Sequence, residues 1–129
     1  MKHNSDFKYD LDFGIISEKY YGKILSDLIN GMSECKAERD QWAKTGNTFV
    51  EFESRGNPSG IATTYSDHWV VLFYKENKLC FSITLPIENM KKIARKGKLI
   101  KGGDENTSRG MLVEIKELIN PNNYGGKND

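Results

Sequence analysis

The residues best suited to chemistry lie between Gly31 and Glu53, where acids, a lysine and polar turn residues alternate with apolar positions. Glu34-Cys35-Lys36 is an acid-x-lysine triplet. In a strand its two charged side chains point the same way and Cys35 points to the other face. Further on, Glu51 and Glu53 share one face and Val50 and Phe52 the other. The two runs predict short strands joined by a polar loop, and an antiparallel pairing sets Glu34 across from Glu51. The opposite face, with Cys35, Ala37, Val50 and Phe52, is then free to pack on a helix. Like charges opposite one another repel, so such an acidic face is either well solvated or neutralised by a cation. Magnesium favours hard oxygens, commonly one or two carboxylates completed by water and substrate phosphates. A lysine beside it can hold a scissile phosphate or help to activate water. The same residues also make an ordinary solvated Glu–Lys pair, because short motifs recur by chance.

Around the triplet stand Asp12-Phe13-Gly14, Glu18, Thr45-Gly46-Asn47 running to Glu51, Pro58-Ser59-Gly60, Thr63-Thr64 and Asp67-His68-Trp69. In this order the motifs resemble the PD-(D/E)XK nuclease superfamily, in particular its small phage-encoded members related to junction resolvases and homing endonucleases. The resemblance covers residues 10–74. It implies an α/β protein with a restriction-endonuclease-like core, a mixed central β-sheet flanked by helices. It further implies a Mg2+- or Mn2+-dependent endonuclease that hydrolyses phosphodiester bonds in DNA as a homodimer or higher homo-oligomer. Carried over by position, it makes Glu34 a metal ligand and Lys36 the motif lysine, with Glu18 as the additional acid of the first helix. Two assignments remain for the other acid. One is Asp27, ahead of the triplet; the other register uses Glu34 and Glu51, with Glu53 where a lysine is expected and Lys36 supplying the amine from the neighbouring strand. The alternative function is a DNA-binding module that kept the fold and lost the chemistry.

The elements that must position these residues follow from periodicity. Residues 1–6 are expected to fray, and Phe7 to Phe13 alternate as a short strand that Gly14 breaks. Ile16, Tyr20, Tyr21, Ile24, Leu25, Leu28 and Ile29 form one broad helical stripe, with Asn30-Gly31 as its stop. Glu18 falls in the sector of Leu25 and Ile29, either as an edge acid favoured near a helix N-terminus or as a group reaching a metal. The loop from Arg39 to Gly46 mixes Arg39, Trp42 and Lys44. It suits phosphates and base faces, unless Trp42 folds back on the core. Arg55 opens a turn through Gly60. His68 to Tyr74 reads as a strand buried on both faces, Leu79 to Thr84 as another, Ile87 to Ala94 as the second helix and Met111 to Ile115 as a last strand. Lys91, Lys92, Arg95, Lys96, Lys98 and Lys101 make a basic flank of the kind a phosphodiester needs, or simply a solvated helix end.

Composition sets the outer limits. A chain of 129 residues suits one domain spanning 1–129, with 37% hydrophobic and 29% charged residues. The net charge of +1 excludes a generally polybasic binder, so any DNA contact depends on local asymmetry. No apolar run approaches the roughly 20 residues that span a membrane. Met1 to Phe7 has no signal-peptide core, so a cytoplasmic location in a host cell is expected. Two cysteines make no disulfide framework, and Cys35, Cys80, His3 and His68 lack zinc-ligand spacing.

Overall fold

The computed structural model describes residues 4–31 and 33–125, without the side chains of 4–7, 9, 34 and 104. The chain begins with a long helix, α1 (Asn4–Ile29), that absorbs the expected strand at 7–13. The alternation there also satisfies helical spacing, since Phe13, Ile16, Tyr20 and Ile24 recur every three or four residues. Gly14 costs a helix only about 1 kcal/mol relative to Ala and does not stop it. Of the six residues expected to fray, 1–3 lie outside the described residues and 4–6 are helical. Lys23 and Asp27 add an ion pair of 2.9 Å one turn apart.

The strands divide between two sheets rather than gathering in one. The first contains β1 (Glu34–Arg39), β4 (His68–Lys75) and β5 (Lys78–Pro86) in the order β1-β4-β5. The second contains β2 (Asn47–Ser54), β3 (Asn57–Pro58), β6 (Lys98–Gly102) and β7 (Ser108–Glu114) in the order β3-β2-β7-β6. Consequently β1 and β2 are not a hairpin. Glu34 pairs with Trp69 in a parallel ladder, whereas Glu51 pairs with Gly110 in an antiparallel one.

What separates them is α2 (Gln41–Thr45), where a plain loop was expected. Trp42 lies edge-on to Phe73 and Phe81, with ring centroids 5.5 and 5.3 Å away, and its indole N–H donates to Tyr74 O at 2.7 Å. The tryptophan thus takes the second of the two arrangements open to it, folded on the core. Its anchoring holds α2 on the first sheet and swings the following chain into the second. Gly46, at φ +73°, closes the helix in the left-handed conformation that glycine adopts readily.

β4 is the buried central strand expected of its apolar run, with Trp69, Val70, Val71 and Phe73 all buried. It turns into β5 through Glu76 and Asn77, both at positive φ, as a two-residue hairpin demands. The helix α3 (Ile87–Arg95) buries Ile87, Met90, Ile93 and Ala94. Together with Val50, Val71, Phe73, Leu85, Val113 and Leu118 they form one core. β6 was hidden in the basic run, and it pairs along β7 with Leu99 opposite Met111.

The segment from Pro121 is tied down as far as Tyr124; residues 126–129 lie outside the described residues. Buried Asn123 donates to Glu117 O at 2.8 Å and accepts from Lys96 Nζ at 3.1 Å. Among the described residues no helix is long and apolar enough to cross a membrane.

Candidate functional site

The site forms where the edge strand of the first sheet meets the uncovered half of β2. Glu38 makes the seam: its carboxylate accepts the Phe49 N–H at 2.7 Å and the Thr48 hydroxyl. Two residues earlier on the same face of β1 stands Lys36. Its Nζ lies 5.6 Å from the centroid of the Phe49 ring, within cation–π range. The ring rests against Gly102 and Gly110, where any Cβ would collide with it. Phe49 therefore acts as a floor that directs the lysine.

Alternation along β2 puts Val50 and Thr48 into the core and leaves Phe49 and Glu51 on the other face. Glu51 is half-buried, and its Oε2 accepts the Ser59 hydroxyl at 2.8 Å. The neighbouring Ser108 hydroxyl does most to hold the carboxyl below its ordinary value of 4.5, followed by Ser59 and the positive charge of Lys36. Partial burial opposes them and does not prevail. The serine is delivered by its own local turn. Gly60, at φ +52°, presses its backbone against the Glu51 carbonyl at a point where no side chain fits.

Lys36 and Glu51, expected to act together in one of the two sequence registers, thus stand on different sheets, near enough for the lysine's charge to lower the carboxyl's pKa. Glu34 opens β1, pairing with Trp69, and its side chain lies outside the described residues. Glu18 is exposed on α1, and Asp27 is engaged by Lys23 on the same helix. That helix borders the first sheet at His68, Thr84 and Pro86. Thr84 belongs to the row Cys35–Val70–Thr84, on the face opposite Lys36. Among the described residues no three His, Cys, Asp or Glu side chains gather as a metal-holding group, and this includes Cys35, Cys80 and His68; His3 is outside them.

The expected DNA-contacting cations are distributed over several elements. Arg39 ends β1, Lys44 stands on α2, Arg55 occupies the β2–β3 turn at φ +51°, and Lys91, Lys92 and Arg95 belong to α3. Arg39, Lys44, Arg55 and Arg95 are exposed, and Lys91 lies 3.9 Å from Glu88. Sequence reasoning missed Ser108, Phe49 and Arg109. The last pairs with Glu53 at 3.8 Å and covers the Phe52 ring, which assigns Glu53 to a structural contact. The only sequence signal for Phe49 and Ser108 was the glycine at 110, and its meaning depends on strand register.

The fold and seam together define a mixed α/β protein in which a lysine on one sheet helps to hold a carboxylate on the other ionised. Compared with protein-family models, curated proteins and solved structures, the chain matches none of them.

Proposed function

We propose that this protein is a metal-dependent endodeoxyribonuclease of the PD-(D/E)XK kind, with a restriction-endonuclease-like active centre at the Lys36–Glu51 seam. The observation that carries the proposal is a carboxylate kept ionised by two serines beside a lysine, on a partly open sheet face. An ionised carboxylate offers about four acceptor sites, and the Ser59 hydroxyl uses one of them. The remainder suits a magnesium or manganese ion, which takes one or two protein carboxylates and completes its shell with water and phosphate. Glu51, with Glu34 from β1, would hold the ion. When bound, such an ion supplies Lewis acidity and makes a coordinated water more acidic.

The chain's own contribution is electrostatic and positional. Lys36, directed by Phe49, neutralises a non-bridging phosphate oxygen as charge develops on it. Glu51 stays deprotonated at neutral pH, so its charge is in place before substrate arrives. Exposed Arg39, Lys44, Arg55 and Arg95 supply phosphate contacts outside the centre, which position DNA without reading its sequence. Action as a homo-oligomer in the cytoplasm of a host cell completes the proposal.

A plasmid-nicking assay with magnesium, with manganese and with EDTA tests it. Cleavage is expected with either metal and not with the chelator. Lys36→Ala and Glu51→Gln are each expected to slow it by about 100-fold or more, while DNA affinity changes little. Absence of cleavage on supercoiled and branched DNA with both metals overturns the enzymatic reading. DNA binding retained in that case identifies a binding module instead.

A further inference from the structure

We infer that α1 is a self-association element, pairing antiparallel with α1 of a second copy of this chain. The inference rests on α1 alone and holds whether or not the protein cuts DNA. The helix is apolar on two sides. One side meets the body of the protein at its C-terminal half, where Ile24 is buried and Tyr20 Oη hydrogen-bonds His68 Nε2 at 2.6 Å, while Phe13 and Ile16 on that side stay 59% and 64% exposed. On the other side lie Leu11, Ile15, Glu18, Gly22, Leu25 and Ile29. Their spacing alternates four and three residues, the pattern of a coiled-coil seam, and at 100° per residue all six fall within about 40° of a common line.

This second seam is uncovered, with Leu11 54%, Ile15 46%, Leu25 43% and Ile29 83% exposed. Gly22 has no neighbour within 4 Å of where a side chain would begin. The spacing is symmetric about position 20. An antiparallel copy sets Leu11 against Ile29, Ile15 against Leu25 and Glu18 against Gly22, twice over by the two-fold axis. The glycine leaves room for the stem of Glu18, whose charge can reach solvent beside the seam. A parallel pair in register would instead press Glu18 against its own copy, where like charges repel.

The extent is adequate. Twenty-six residues run about 39 Å at 1.5 Å per residue. From their exposed fractions the four large seam residues offer roughly 450 Å2 of apolar surface per copy, and flanking Lys19 and Tyr21 bring this toward the ~800 Å2 per partner of a stable interface. The stripe that Glu18 shares with Leu25 and Ile29 is therefore an association face.

Sedimentation equilibrium of the full chain at micromolar concentration tests the inference. The expected mass is that of two 14.7 kDa chains, and Ile15→Glu combined with Leu25→Glu is expected to give one, with unchanged far-UV circular dichroism. Orientation is read by disulfide cross-linking in a Cys35→Ser, Cys80→Ser background. A mixture of Leu11→Cys and Ile29→Cys chains is expected to cross-link, and neither chain alone. These cross-links decide the matter even if the charged variant unfolds. A monomeric parent, a dimer that survives both glutamates in a folded variant, or self-cross-linking of Ile29→Cys overturns the inference.

Discussion

Ser59 donates to the Glu51 carboxylate at 2.8 Å, and Ser108 and the charge of Lys36 act on the same group. The folded-state pKa of Glu51 therefore lies below its ordinary value of 4.5. A depressed carboxyl stabilises the native state fully above the unfolded pKa and loses that contribution as pH falls through the folded one. Thermal melting between neutral pH and strongly acid conditions should consequently show a loss of stability below about pH 4.5 that Glu51→Gln diminishes. Identical acid profiles for both proteins would remove the argument that the carboxylate is held ionised. Gly60 makes a companion case. Ala at that position meets both a positive φ and the Glu51 backbone, so Gly60→Ala should destabilise by on the order of 1–3 kcal/mol, measured by urea unfolding.

α2 decides which sheet receives β2. Its hold on the first sheet is one indole hydrogen bond and two ring contacts from Trp42. Trp42→Ala removes that half-buried anchor and should lower unfolding stability by on the order of 2–4 kcal/mol. Trp42→Phe keeps most of the ring packing and loses the bond to Tyr74 O, so it should cost about 1 kcal/mol. If both variants unfold like the parent in urea, the anchoring role is wrong. Asn123 does for the C-terminal segment what Trp42 does for α2, linking Glu117, Lys96 and, through its carbonyl, Asn89.

For the molecule as a whole, a net charge of +1 leaves no general attraction for nucleic acid. Under the proposed function DNA binding must come from particular cations, and each phosphate neutralised contributes about −0.9 to the slope of log affinity against log salt. Lys44→Ala and Arg95→Ala should each reduce that slope by roughly one while leaving sequence preference unaltered. A gel-shift series across salt concentrations measures it, and slopes equal to the parent's would place the DNA elsewhere on the surface.

Periodicity was enough to identify the helix through Ile29, the buried strand at Trp69–Phe73 and the helix from Ile87. Those features are local, because burial repeats every two or about 3.6 residues wherever a segment has one apolar side. Partnership was not local. The same alternation that suggested a Glu34–Glu51 hairpin fits strands in two different sheets, and an alternating start at residues 7–13 fits a helix equally well. Which strand lies beside which depends on contacts such as Trp42 finding Tyr74 O, between residues far apart in the chain. The sequence by itself determined which residues have charge and which have greasy faces; only the tertiary structure decided which charges meet, because side-chain packing and the satisfaction of buried polar groups are settled by the assembled sheets together.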